Sequence, residues 1–141
     1  VLFTRFVNCD DSPYRRILDW HECAGSPEAD LAPELADLAP AGAVYRKDGF
    51  TGIPDGLADR LRAEGLDEVA VVGIDTDMCV LKVAMDVFDL GIRPVVLVDC
   101  CASTAGLQAH LAGLAVLARN VGADNLRLAG LGEGYLGRPP T

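Results

Sequence analysis

Val69-Ala-Val-Val-Gly-Ile-Asp-Thr-Asp-Met-Cys79-Val80 is the stretch from which the rest of the chain can be read. Val69 to Ile74 is an almost unbroken apolar run, the pattern of a strand buried on both faces in a parallel sheet. Asp75 to Asp77 make a short polar turn, after which Val80, Ala84, Val87 and Phe88 recur at helical spacing until Gly91. A strand, a tight turn and a helix are therefore predicted, with Cys79 where the helix begins. The dipole and open N–H groups of a helix N-terminus favour a thiolate, so Cys79 is a candidate nucleophile. The turn can also aim backbone N–H groups at one point, where a developing oxyanion would be stabilised. The competing reading is a small buried hydrophobe, as most free cysteines are.

Outward from this unit the strand and helix patterns alternate. Val1 to Val7 reads as a parallel strand and Asn8 to Cys23 as a long loop, with Asp10-Asp11-Ser12-Pro13 as a turn and Tyr14, Trp20 and His21 beyond it. Ser26-Pro27 resembles an N-cap and first helical residue, opening a stretch through Leu31, Leu35 and Leu38 that Pro33 interrupts. Ala43 to Arg46 is a short strand, and Pro54 to Glu64 a helix with Leu57 and Leu61 on one face and Gly65 at its end. Pro94 to Val98 is a strand closed by Asp99, and Ser103 or Thr104 caps a helix through Leu107, Leu111, Leu114 and Leu117 to Gly122. Leu126 to Ala129 is a last short strand, and 130–141 a loose Gly/Pro-rich tail. This order predicts one α/β domain over 1–141 with a parallel sheet and right-handed crossovers. Ligands in such sheets bind beyond the C-terminal strand ends, where Lys47, Asp75 to Cys79 and Asp99 are expected to gather.

A chain of 141 residues buries about two-thirds of its unfolded surface without covalent staples. The five cysteines are odd in number and lack a CxxC pair, which suggests neither a disulfide framework nor a zinc ribbon. A reducing cytoplasm is expected: no charged-then-apolar leader is seen, and no apolar run approaches the roughly 18 residues that span a bilayer. A formal net charge of −9 argues against a sequence-independent grip on nucleic acid, leaving small molecules or proteins as partners. Of twelve basic residues only Lys47 and Lys82 are lysine, which makes each a candidate for a specific role.

Four strings then converge: Cys23-Ala-Gly-Ser-Pro-Glu-Ala-Asp-Leu-Ala-Pro-Glu-Leu35, Tyr45-Arg-Lys47-Asp-Gly-Phe50, Val72-Gly-Ile-Asp-Thr-Asp-Met-Cys79-Val80 and Val98-Asp99-Cys-Cys-Ala-Ser103. Together they resemble the isochorismatase-like cysteine hydrolase family over nearly the whole chain. The resemblance implies a three-layer α/β/α fold of Rossmann-like topology, a homodimer or homotetramer, and a Cys-Lys-Asp triad that cleaves C–N bonds of amides, carbamoyl compounds or ureides through an acyl-enzyme. Carried over by position, Cys79 attacks the carbonyl and Lys47 stabilises the thiolate and helps relay protons. It further implies a cis peptide between Ile74 and Asp75, with the N–H groups of Asp75 and Cys79 as the oxyanion hole. The chemistry is sound, since a lysine beside a cysteine favours the charged pair.

Two departures qualify it. Members acting on nicotinamide hold a metal on an Asp and several His residues after the second strand, where this chain has Thr4-Arg-Phe-Val-Asn8 and only His21 nearby; no metal or other cofactor is expected. The triad aspartate ends the family's first strand, and no residue here matches it. A strand bearing that aspartate is expected upstream of Val1, lying between the strands that begin at Val1 and Val69: either the chain is N-terminally incomplete or another chain supplies the strand. The alternatives are isochorismatase-type vinyl-ether hydrolysis, against which the retained Cys79 leans, and a catalytically silent binding or scaffold protein.

The remaining candidates divide between chemistry and structure. Lys82 reads as a solvent-facing helix lysine and Asp77 as a helix-start residue. Adjacent strand residues point to opposite faces, so at least one of Cys100 and Cys101 belongs to the core. Cys9 and Cys23 read as structural, and His110 as a packed or surface histidine. Tyr14, Trp20 and Phe50 could line a substrate pocket, with core packing or a subunit contact as equal alternatives.

Overall fold

The structure, a computed structural model, describes residues 1–129; the tail expected at 130–141 lies outside them. The chain forms two compact units, one from Val1 to Glu64 and one from Gly65 onward. The first holds β1 (Phe3–Phe6), α1 (Pro13–Leu18), α2 (Pro33–Ala36), β2 (Val44–Lys47) and α3 (Leu57–Ala63). The second holds β3 (Glu68–Ile74), a π-helical turn (Thr76–Val80), α4 (Leu81–Asp89), β4 (Arg93–Ala102), α5 (Leu107–Val121) and β5 (Leu126–Arg127). All strand pairs are parallel, and they divide into a two-stranded sheet β1-β2 and a three-stranded sheet β3-β4-β5.

In the first unit β1 and β2 run in register from Phe3 opposite Val44 to Phe6 opposite Lys47. Strand alternation therefore sets Phe6 and Lys47 on one face, and Arg5 and Arg46 on the other. The loop expected from Asn8 to Cys23 contains a helix, α1, that the periodicity does not reveal. Its six residues are too few to show an apolar stripe, and it rests on local caps. Ser12 is its N-cap and accepts a bond from Arg15 N–H at 3.3 Å, while Pro13 occupies the first turn. The fully buried Asn8 closes the loop, its Nδ2 donating to the carbonyls of Trp20 and Glu22 at 2.8 Å each and its Oδ1 accepting from the Ser12 hydroxyl.

Two expectations about proline are corrected. Ser26–Pro27 is a cis peptide in a turn rather than a helix start. Pro33 does not interrupt a helix but begins α2, because its fixed φ and missing N–H suit a first turn.

In the second unit β4 continues four residues past the expected end at Val98. A register irregularity between Val71 and Gly73 brings Gly73 opposite Cys101 and Ile74 opposite Ala102. Asp99 therefore lies within β4, and its carboxylate accepts from the Ala129 N–H at 2.8 Å instead of joining a catalytic edge. The core of this unit is Val71, Val80, Ala84, Val96, Leu117 and Val121, with Cys101 and Leu114 packed against it. Several residues expected inside are exposed: Val72 and Ile74 on β3, Phe88 on α4, and Leu107 and Leu111 on α5. Burial alternates along β3, with Val69 and Val71 turned to the core and Ala70, Val72 and Ile74 turned out, so one face of the strand is covered and the other is not. Helix α5 is capped at Gly106, not Ser103 or Thr104, and its buried face carries Gly113, Leu117 and Val121 rather than the full leucine stripe.

Candidate active site

Lys47 and the aromatic residues belong to the first unit; Asp75, Thr76 and Cys79 belong to the second. In the first, Lys47 ends β2 with 6% of its surface exposed, and its Nζ is buried without a hydrogen-bond partner among the described residues. A buried ammonium with no acceptor is costly, so its retention calls for a chemical reason. Phe6, on the same face one strand over, belongs to an aromatic cluster. Its ring centroid lies 5.0 Å from Tyr14 and 6.2 Å from Trp20, and Tyr14 lies 5.4 Å from Trp20 and 5.2 Å from Phe50. The structure thus brings the three expected pocket residues together and adds Phe6, which sequence reading assigned only to a strand.

In the second unit the expected strand–turn–helix around Cys79 is present, and the Ile74–Asp75 peptide is cis. Cys79 is half-buried within the π-helical turn, just before α4. The Asp75 carbonyl accepts the N–H groups of Met78 at 3.1 Å and Val80 at 3.0 Å, wrapping the turn around itself. The Asp75 carboxylate accepts from Thr104 twice, from its N–H at 2.7 Å and from its hydroxyl at 2.8 Å. Thr76, fully buried, donates its hydroxyl to the Ala102 carbonyl at 3.0 Å, and its oxygen lies 2.8 Å from His110 Nδ1. Since the one hydroxyl proton goes to Ala102, the Thr76 oxygen is the acceptor for Nδ1–H. The Oδ1 of Asp77 is buried without a partner among the described residues.

The other cysteines differ in setting. Cys9 Sγ donates to the Asp48 carboxylate at 3.4 Å, and the Cys23 N–H donates to Glu28 at 3.0 Å. Burial pushes the Cys101 thiol up, reinforced by Cys100 and Asp99 and opposed by a backbone hydrogen bond from Gly73. Lys82 pairs with Asp86 along α4, as a surface helix lysine does.

Residues after β1 do not fit a metal. Asn8 is consumed by its three hydrogen bonds, His21 pairs with the Asp19 carboxylate at 2.8 Å, and among the described residues no three His, Cys, Asp or Glu side chains converge. Two open concavities, one bordered by Phe88, Pro94 and Asn125 and one by Arg5, Leu31 and Arg46, include neither Cys79 nor Lys47. Among the described residues no helix is long and apolar enough to cross a membrane.

A parallel α/β arrangement with a cysteine on the turn between a strand and a helix defines a class of α/β proteins with a candidate thiol nucleophile. The chain belongs to the isochorismatase family, whose Isochorismatase domain model matches residues 1–127. It is 40% identical over 99 residues to the nicotinamidase/pyrazinamidase of Mycobacterium tuberculosis, covering 63% of this chain and 51% of that protein. It is similar to the solved nicotinamidase of Bacillus subtilis, with a TM-score of 0.74 and 26% identity over 92% of this chain and 74% of that one. The N-carbamoylsarcosine amidase of Thermoplasma acidophilum is similar too, with a TM-score of 0.68 and 26% identity over 86% and 68% of the two chains. The chain spans about half the length of the relatives it matches by sequence.

Proposed function

We propose that this protein is a cysteine-dependent amidohydrolase that cleaves a C–N bond in a small amide, carbamoyl or ureide substrate. The observation that carries the reading is the placement of Cys79 on a tightly held turn between the C-terminal end of β3 and the start of α4. The names of the similar proteins, nicotinamidase, pyrazinamidase and carbamoylsarcosine amidase, all describe cleavage of such bonds.

In this reading the Cys79 thiolate attacks the carbonyl carbon, forming a C–S bond, and the carbonyl oxygen takes the charge. The N–H groups of Asp75 and Cys79 receive that oxyanion. The C–N bond then breaks as the nitrogen takes a proton and leaves as ammonia or an amine, and water hydrolyses the thioester to restore the thiol. By the family resemblance Lys47 is the cation that stabilises the thiolate and relays the proton. Tyr14, Trp20 and Phe50, with Phe6, offer apolar faces for the body of the substrate. No residue of the chain is assigned as the triad acid. The metal-binding residues of the nicotinamide-acting members have no counterpart here, so carbamoyl and aliphatic amides lead the list of substrates. The protein works without a metal or other cofactor and assembles as a homodimer or homotetramer.

The test is release of ammonia from a panel of amides, carbamoyl amino acids, ureides and pyridine carboxamides, with Cys79→Ala beside the parent. Turnover that Cys79→Ala abolishes, with the melting curve unchanged, supports the reading. Turnover that survives Cys79→Ala refutes a covalent cysteine mechanism. In parallel, limiting alkylation at about pH 6, where an ordinary thiol is almost wholly protonated, should label Cys79 before the other four cysteines.

A further inference from the structure

We propose that His110 is a positioning residue for the nucleophile turn, acting through Thr76; the proposal rests on the amidohydrolase reading above. Three anchors hold the turn, and all come from the end of β4, α5 and the segment between them. The first is the Asp75 carboxylate bound twice by Thr104. The second is the buried Thr76 hydroxyl, fixed between the Ala102 carbonyl and His110 Nδ1. The third is direct backbone contact at Gly113, where a Cβ would lie 2.8 Å from both Cα and N of Asp77.

Thr76 stands between the two residues whose N–H groups are proposed to receive the oxyanion, one step after Asp75 and three before Cys79. Its side chain is the handle by which the fold sets the direction of that backbone. The hydroxyl has one proton, and donating it to Ala102 leaves the oxygen free to rotate about that bond unless something holds its lone pair. His110 Nδ1–H supplies the hold from one helical turn before Gly113. A misplacement of about 1 Å at a reacting group can cost a factor of roughly a hundred, so an anchor of this kind governs rate without touching substrate. The histidine is therefore neither a mere core filler nor a proton shuttle. It is the only α5 side chain hydrogen-bonded to the turn among the described residues.

The experiment compares His110→Asn with His110→Gln and His110→Ala in the full chain. An asparagine amide can place an N–H near the position of Nδ1; a glutamine amide reaches past it, and alanine offers no donor. The expected result for Ala and Gln is a loss of kcat of about tenfold with KM unchanged, the effect of one missing buried hydrogen bond on a fixed geometry. Both should also show faster amide exchange across Thr76–Val80 and slower alkylation of Cys79, and Asn should restore most of each. If alanine fails to fold, the Asn-to-Gln contrast carries the comparison. Equal behaviour of Asn and Gln, or unchanged exchange and alkylation in Gln, would overturn the proposal. Exchange and alkylation are read without any substrate, so failure to find turnover would strike the amidohydrolase reading and leave the role of His110 decided on its own measurements.

Discussion

Gly113→Ala sets two effects of known size against each other. A methyl group at this position would meet Asp77 Cα and N at 2.8 Å and Thr76 C at 2.9 Å, all backbone atoms with no flexible end to yield. Comfortable contact between carbon atoms is about 3.5–4.0 Å, so α5 and the turn must separate by roughly 0.7–1.2 Å. Overpacking of this kind costs about 1–3 kcal/mol. Against it stands the gain from replacing a mid-helix glycine by alanine, about 1 kcal/mol. The clash should win by up to about 2 kcal/mol, which for a chain of this size lowers the melting temperature by up to roughly 10 °C. Thermal and urea melts measure the loss, and the rate of Cys79 alkylation should fall with it because the displaced turn carries the thiol. A variant that melts higher than the parent, as helix propensity alone dictates, would refute the close approach of α5 to the turn.

The remaining predictions concern buried polar groups. Lys47→Met should remove hydrolysis while leaving stability unchanged or raised by about 1–3 kcal/mol, since the ammonium it deletes has no hydrogen-bond partner; a marked drop in a urea melt would mean that the lysine is structural. Asn8→Ala strands the carbonyls of Trp20 and Glu22 and should cost about 2–4 kcal/mol, seen as rapid amide exchange and proteolysis between Pro13 and Cys23, whereas protection equal to the parent would count against the bonds described. Burial raises the Cys101 thiol, so its neutral form is the one the fold favours: this contribution is complete at neutral pH and is lost as pH climbs through the raised value. Cys101→Val should therefore flatten the decline in stability above the ordinary thiol range, and an unchanged alkaline slope would show that other groups set it.

The local grammar of the chain was legible. A strand from Val69 to Ile74, a polar turn and a helix after Cys79 are fixed by residue type and spacing within a dozen positions, and the structure forms them there. The cis Ile74–Asp75 peptide was available only through resemblance to the isochorismatase-like hydrolases. Short elements were harder. Six residues of α1 carry no period, and their helix depends on Ser12, Pro13 and the bonds of Asn8, whose partners lie twelve and fourteen residues away.

What only the tertiary structure decided is which parts of distant elements touch. A leucine stripe on α5 promised burial for Leu107 and Leu111, yet the helix turns Gly113, Leu117 and Val121 inward. The contact that matters there is made by a residue with no side chain, which a hydrophobic pattern cannot register. Thr76 and His110 are 34 positions apart, and nothing in either neighbourhood announces their bond. The sequence pattern puts Asp99 at a strand end, but β4 runs four residues past Val98, its pairing extended by an irregularity in its neighbour. Sequence periodicity reports how each element alternates between solvent and interior. Pairing register and hydrogen bonds depend on how two elements meet, a property of neither alone, and so they are settled only when the chain is folded.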